Sequence, residues 1–449
     1  MFFSEATLRW LEVILKERFG YNFVLSQKVG ELTLLLPGRQ GSISFDNLQE
    51  VFHQSRSDFS CEQWRASVEG FKGPIEDTLF APSSTELSAP LIELCDQGAI
   101  IHYDILGLAY WMLSRLEEIG RTDLDEHQRF PAVSSHAYKH NYLERPIIDE
   151  WMIILGQVIQ QVWPQTELRR HEFSVKVSHD VDTPSQYAFK PWPTIGRMMA
   201  GYLLKRREFK AFFTAPHVKL ATGAQLHPAD PYNTFDWLMD VSEANNIQSA
   251  FYFLCGRTSP VRDSDYELEY PAIRNLIRRI HDRGHEIGLH PSYGTFQKPE
   301  LIKQEADRLK RVCAELGIVQ TEWGGRMHYL RWEQPTTLRA WENCGMSYDS
   351  TLGYADSPGF RCGTCYEYPA FDPVAQTHLR LRIRPLVVME CSVISCMYLG
   401  LRNSDEALKK VTDLKKKCRK VNGLFTLLWH NSYFDNKELF GVYKKALQC

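Results

Sequence analysis

The stretch Ser178-His179-Asp180-Val181-Asp182 sets two carboxylates and an imidazole side by side. The run before it, Phe173-Ser-Val-Lys-Val177, is β-prone, and Thr183-Pro184 after it cannot continue a regular strand. The acidic pair therefore falls where a buried strand meets a loop. In α/β folds, strand C-terminal ends are where sites are built. In an extended chain Asp180 and Asp182 point to one face, and His179 and Val181 to the other. Two like charges on one face repel unless a cation lies between them or one carboxyl keeps its proton. That spacing is a reason to look for a metal.

Three further clusters carry chemistry-bearing residues. Gly284-His-Glu-Ile-Gly-Leu-His290-Pro-Ser292 resembles the helical zinc motif H-E-x-x-H, but has one residue too many for its histidines to share a helix face. As a strand, it sends His285 and His290 to opposite faces, so only one reaches a site. His290, at the strand end before Pro291, is the ligand candidate, and His285 a structural hydrogen-bonding residue. In Trp323-Gly-Gly-Arg-Met-His-Tyr329 the glycine pair frees the backbone. Arg326 and His328 can then point the same way, and an arginine beside a catalytic aspartate holds it charged and oriented. Leu427-Leu-Trp-His-Asn431 is an apolar strand ending in His430, a residue suited to proton transfer near neutral pH. Asp349 and Glu390 are weaker carboxylate candidates. Glu390 sits in an apolar run, where a charge is costly unless paired or aimed into a polar mouth. Cys362-Gly-Thr-Cys365 has no second pair to complete a zinc site and reads as a loop.

Alternating strand and helix patterns position these clusters. From residue 173 onward, strands are expected at 249–254, 285–290, 320–323, 346–349, 387–392 and 424–429. Helices are expected between them at 271–283, 298–316, 334–344 and 404–420. Repeated β–α units imply a parallel sheet, and this many suggest closure into a barrel. Ahead of them, residues 7–19, 101–119 and 146–162 read as helices, with short strands at 32–36 and 42–45. The polar segment 120–144 is long for a loop inside a compact domain, which suggests either a solvated loop or a place at the domain interface or substrate mouth. Residues 164–171 look like the junction. The fold expected is thus α/β, with a smaller α+β domain over residues 1–165 and a barrel domain over 172–449. The basic run between Lys409 and Lys420 has helical spacing and reads as a solvated face.

Composition narrows the class. The chain has 449 residues, 44% apolar and 24% charged, and a formal net charge of -3, which describes a globular protein with no electrostatic reason to bind nucleic acid. Charged residues Glu5, Arg9 and Glu12 break any signal-peptide core, and no apolar run suffices for a membrane span. Eleven cysteines, odd in number and scattered, form no disulfide framework and suggest the cytoplasm. No G-x-S-x-G, P-loop or dinucleotide fingerprint occurs.

Taken in chain order, the clusters resemble the motifs of the polysaccharide deacetylase (NodB-homology) superfamily, from about residue 173 to the C-terminus. The resemblance implies a distorted (β/α)7 barrel with a divalent metal, often zinc, that removes acetyl groups from sugars. Ser178–Asp182 is similar to the family's first motif, which makes Asp180 the general base and Asp182 a metal ligand. Gly284–His290 is similar to its histidine motif, which makes His290 a ligand. Gly325–Tyr329 resembles the R-x-P-[FY] motif, which makes Arg326 the partner of the base, and Leu427–His430 the last motif, which makes His430 the general acid. Together with Phe360-Arg-Cys-Gly-Thr, the motifs are similar to a cytoplasmic branch tied to capsule or lipopolysaccharide synthesis, with an N-terminal domain of unknown function. Two positions depart from the pattern. Gly294 stands where the second histidine ligand is expected, and His328 replaces the proline of the third motif. The third ligand is then His328 or, less easily by strand alternation, His179. The activity implied is metal-dependent deacylation of an N-acylated sugar. The alternatives are a non-catalytic barrel that binds a glycan or partner, and hydrolysis of another non-peptide C–N bond.

Overall fold

The computed structural model describes residues 3–401, 404–434 and 436–448. Its first helix, Glu5–Phe19, starts where Ser4 accepts a hydrogen bond from the Thr7 N–H and ends at Gly20, whose φ of 85° favours glycine. Seven strands follow: β1 (Val24–Lys28), β2 (Glu31–Leu35), β3 (Ser42–Phe45), β4 (Ser60–Arg65), β5 (Thr78–Ser83), β6 (Ile92–Cys95) and β7 (Gly98–Ile101). They form a five-stranded sheet in the order β1-β2-β3-β7-β6 and a separate β4-β5 pair. The helix expected over 101–119 is shorter than its apolar run. Ile101 closes β7, and the helix Ile105–Leu113 begins after buried Asp104, whose carboxylate accepts from the N–H groups of Gly107 at 2.7 Å and Gln49 at 3.1 Å.

The second sheet contains β8 (Ser174–Val181), β9 (Ala250–Leu254), β10 (Glu286–His290), β11 (Gly324–Gly325), β12 (Tyr348–Asp349), β13 (Tyr368–Asp372), β14 (Thr377–Ile383), β15 (Val388–Met389) and β16 (Leu424–Leu428). Its nine strands run in the order β13-β14-β12-β11-β10-β9-β8-β16-β15, parallel except for the β13–β14 hairpin. Helices such as Pro271–Asp282 and Pro299–Glu315 make the crossovers that parallel neighbours require. Both β9 and β16 are buried at every position, as strands covered on two faces must be.

No continuous ring of pairing is present among the described residues: the ladder ends at β13 and β15. One stretch of chain nevertheless meets both sides of the gap. Arg382 and Ile383 pair with β12, the Arg384 N–H donates to Asp349 O, and the Leu386 N–H to Leu352 O. A few residues on, Val388 and Met389 pair with β16. Pro385, which has no N–H to give, lies where the ladder changes partner.

Several elements differ from the sequence pattern. The strand expected at 320–323 forms later, as β11, because the Gln320 side chain stands in for backbone. It accepts from the Ile287 N–H at 2.7 Å and donates to Ile287 O at 2.8 Å. The strand expected at 387–392 stops at Met389, and Glu390 opens the short helix Glu390–Ile394. Between β8 and β9 the chain adds the helices Trp192–Gly201, Phe209–Ala221 and Phe235–Ala244, of which Phe209–Ala221 has no single apolar period to announce it. The basic run is not wholly solvated either: Lys415 is buried and donates to Ala446 O at 2.8 Å, at the end of the last helix.

The N-terminal elements pack directly on the second sheet. Trp10 donates through its indole N–H to Pro369 O at 2.8 Å, and Arg18 pairs with buried Asp149 at 2.6 Å. Asp149 also accepts from the N–H of Cys365 at 2.9 Å and from its thiol at 3.3 Å, so the C-x-x-C loop is part of this joint. Cys449 lies outside the described residues. No described helix is long and apolar enough to cross a membrane.

Candidate metal centre

The C-terminal ends of β8, β10 and β16, and the loop after β11, converge. β8 carries Asp180 and leads into Asp182, and the pleat sends both carboxylates to the same side. His179 goes to the other side, where its Nδ1 donates to Trp429 O at 2.7 Å and its ring packs on Phe251. It is therefore turned away from Asp182. His285 likewise faces away: its Nδ1 accepts from the Ser249 N–H at 3.1 Å, and its Nε2 lies 3.3 Å from Glu243.

Three side chains face a common point. His290 Nε2 lies 3.1 Å and His328 Nε2 3.6 Å from Asp182 Oδ1, and ligand atoms of all three residues lie within 4.8 Å of one another. Two atoms bonded to one tetrahedral zinc at 2.0–2.1 Å stand about 3.3 Å apart, so these spacings suit one ion. Asp182 Oδ1 and His290 Nε2 are also buried without a hydrogen-bond partner. Buried polar atoms without partners are costly, and a cation between them satisfies both. The donor set of one carboxylate and two imidazoles fits zinc or a similar divalent metal.

The surrounding contacts aim the ligands. His290 Nδ1 donates to Arg326 O at 2.6 Å, which leaves Nε2 directed at Asp182. His328 Nδ1 donates to Asp263 at 3.0 Å, with the same effect on its ring. Burial disfavours a charged His328, but Asp182 and Asp263 together push it up to about 9. Burial also opposes charge on Asp182, yet the neighbouring His328 and His290 hold its carboxyl well below the usual range. Gly294 offers no third ligand, and a Cβ there would lie 2.8 Å from Thr258.

Beside the three-residue cluster are two further pairs. Arg326 is buried and donates to Asp180 Oδ1 at 2.7 Å, to Ser178 Oγ at 2.9 Å and to Ser350 O at 2.9 Å. Asp180 Oδ2 is 3.9 Å from His290 Nε2. His430 directs Nε2 to within 3.5 Å of Asp182, while its Nδ1 donates to fully buried Glu390. Burial alone would lower the His430 pKa, but the Glu390 carboxylate, with Cys391 and Asp182 adding to it, raises the imidazole well above its ordinary value. Glu390, Cys391 and His430 also lie close enough together to hold an ion. Burial, with Glu390 adding to it, pushes the Cys391 thiol up to about 12, so it is a poor thiolate ligand. This trio reads as a histidine–carboxylate pair.

Asp349 takes no part: its oxygens accept from the Trp332 indole and the Thr351 N–H. Two residues of the site were not assigned from sequence. Glu390 had a signal, a charge inside an apolar run. Asp263, in the polar turn after β9, had none. The 120–144 segment meets the site loops: Arg129 donates to Tyr329 O at 2.8 Å, His127 Nδ1 lies 3.1 Å from Tyr293 OH, and Arg331 donates to His127 O at 2.9 Å.

Residues 6–164 match a family of unknown function, DUF7033. No curated protein matches the chain. Among solved structures, the chain is similar to a putative polysaccharide deacetylase from Mycobacterium smegmatis, at 16% identity and a TM-score of 0.38, over 62% of this chain and 84% of that one. It is similar to the Puue allantoinase at 13% identity and a TM-score of 0.36, over 62% and 82% of the two chains. It is also similar to a probable polysaccharide deacetylase from Pseudomonas aeruginosa PAO1, at 14% identity and a TM-score of 0.33, over 62% and 83%.

Proposed function

We propose that the chain is a metal-dependent hydrolase that cleaves the amide of an N-acylated sugar, with Asp182, His290 and His328 as metal ligands. The observation that supports this reading most is the buried, unpartnered pair Asp182 Oδ1 and His290 Nε2, with His328 beside them. A divalent ion bound there, zinc for this donor set, supplies Lewis-acid polarisation of the acyl carbonyl and acidifies water. Asp180, oriented by Arg326, takes the proton of the attacking water. His430, held protonated by Glu390, delivers a proton to the departing amine. His290 and His328 keep their rings fixed through Arg326 O and Asp263.

In this reading the parallel strands from β8 to β16 are a distorted seven-unit barrel whose sixth strand is β14 and β15 together, broken at Pro385. The N-terminal domain covers residues 1–165 and the barrel 172–449. The substrate class, an N-acylated sugar of a surface polysaccharide, comes from the motif resemblance, and a reducing cytoplasmic compartment from the eleven scattered cysteines. The test is acetate release from N-acetylated sugars by metal-loaded protein. The wild type is expected to exceed Asp180→Asn by about 100- to 10,000-fold. Equal rates would remove Asp180 from the mechanism.

A further inference from the structure

The excursion between β8 and β9 carries a surface that the hydrolytic site does not use. It leaves the sheet at the end of β8, directly after Val181, and Asp230 pins its base by accepting from the Gln186 N–H at 3.0 Å and the Tyr232 N–H at 2.9 Å. The helix Phe209–Ala221 is apolar on two opposed faces. Ala211, Ala215 and Val218 close on Tyr187, Ile195 and Tyr202 in a small core of their own. Phe209, Phe213 and Leu220 recur at i, i+4 and i+11, on a stripe roughly 180° away. That second stripe is open: the three residues are 61%, 68% and 74% exposed. Trp192 is exposed too, as are Leu203 and Leu204 in the π-helical turn Tyr202–Arg206 that links the helices. Large apolar residues gathered on one protrusion mark an interaction site.

Charge decides what covers it. Between residues 192 and 221 stand Arg197, Lys205, Arg206, Arg207, Lys210 and Lys219, with Glu208 the one acid, although the whole chain carries a net charge of -3. Lys205, Arg206 and Arg207 directly follow the exposed Leu203-Leu204 pair. A second copy of this chain, packed face to face, would set these cations against themselves. An anionic bilayer offers hydrocarbon to the apolar stripe and headgroup charge to the exposed cations beside it, Lys205, Arg206, Arg207 and Lys210. No described helix is long enough to cross, so the protrusion lies on the surface rather than through it.

We infer that the helical protrusion over residues 192–221 docks the protein on an anionic membrane surface. This inference does not depend on the hydrolase reading.

The full chain is tested by co-sedimentation with vesicles of phosphatidylcholine alone and of phosphatidylcholine with phosphatidylglycerol. Binding is expected to the second, weakening as salt rises. Leu204→Asp with Phe213→Asp, and separately Lys205→Glu with Arg206→Glu, should each weaken it by at least about tenfold. All four side chains are exposed, so thermal unfolding should stay as in the wild type. Failure to sediment with either vesicle overturns the inference, as does binding that both variants retain. A concentration-dependent dimer, abolished by the apolar double variant and unaccompanied by lipid binding, also overturns it and assigns the face to a second copy. Zinc content and acetate release from a water-soluble sugar read the metal site separately.

Discussion

Asp182 Oδ1 and His290 Nε2 lie 3.1 Å apart in the interior, and neither has a hydrogen-bond partner. A proton between them would satisfy both only along the ring N–H direction, which this geometry does not meet. A cation satisfies both without that constraint. Purified protein loaded with zinc should therefore hold one ion per chain. Asp182→Ala and His290→Ala should abolish stoichiometric binding, and His328→Ala should weaken it strongly. His179→Ala, whose ring faces Trp429, should retain the metal despite its cost in packing. Elemental analysis after gel filtration reads all four.

His328 gives that binding a pH dependence. Burial opposes its charge, but Asp182 and Asp263 push it up to about 9 in the metal-free protein, and a ligand imidazole must release the proton at Nε2. Below about 9, zinc and this proton compete, so affinity should rise roughly tenfold per pH unit between about pH 6 and 8. Competition with a chromophoric chelator measures the slope. With His328→Gln, the contribution of this proton should disappear. A slope unchanged by that substitution would place the released proton elsewhere.

Much of the site was legible because its residues sit at strand ends, where a period of two decides which side each faces. Asp180 and Asp182 share a side for that reason, and His285 and His290, an odd number of residues apart, do not. The partners that aim these residues were not legible. Asp263 reaches His328 across 65 residues, and nothing local marks such a contact. The exposed and buried stripes of Phe209–Ala221 cancel the single period that identifies a helix, which hid that element. Closure of the barrel was read from the number of β–α units, whereas the pairing itself is broken where Pro385 can donate nothing.

Arg129 ties the N-terminal region to the metal loop. Tyr329 and Leu330, directly after His328, have φ of 62° and 56°, a conformation costing about 1 kcal/mol or more per non-glycine residue. Arg129 donates to Tyr329 O at 2.8 Å while Asp125 fixes its guanidinium at 2.7 Å. Removing it in Arg129→Ala should let the loop relax and misplace His328. Zinc affinity should fall about tenfold, with a matching fall in kcat/KM, while Tm changes little. Unchanged affinity would make the contact purely structural.

Acid stability reports on the N-terminal region independently. His136 is fully buried, stacks on Phe59, and is lowered to about 3, chiefly by burial. The unfolded chain takes up this proton near pH 6.5, and the folded chain resists until about 3, so acidification through that window favours unfolding. The contribution is full above about 6.5 and is lost as pH falls toward 3, a matter of a few kcal/mol at about 1.4 kcal/mol per unit. Urea unfolding of wild type and His136→Gln at about pH 4.5 and 7 measures it. The variant should be less stable at neutral pH but lose less on acidification.

Glu390 tests how His430 works. Its carboxylate is fully buried and accepts from both the backbone N–H and Nδ1 of His430. It raises the imidazole well above its ordinary value, against the effect of burial. A general acid must hold its proton at the working pH, so Glu390→Gln should shift the alkaline limb of the kcat/KM profile to lower pH. At neutral pH, kcat should fall about 100-fold, with zinc content unchanged because Glu390 faces away from Asp182, on the Nδ1 side of the ring. A structural role alone would lower Tm without moving that limb. An unshifted limb with a protein of normal metal content would assign the proton donor to another group.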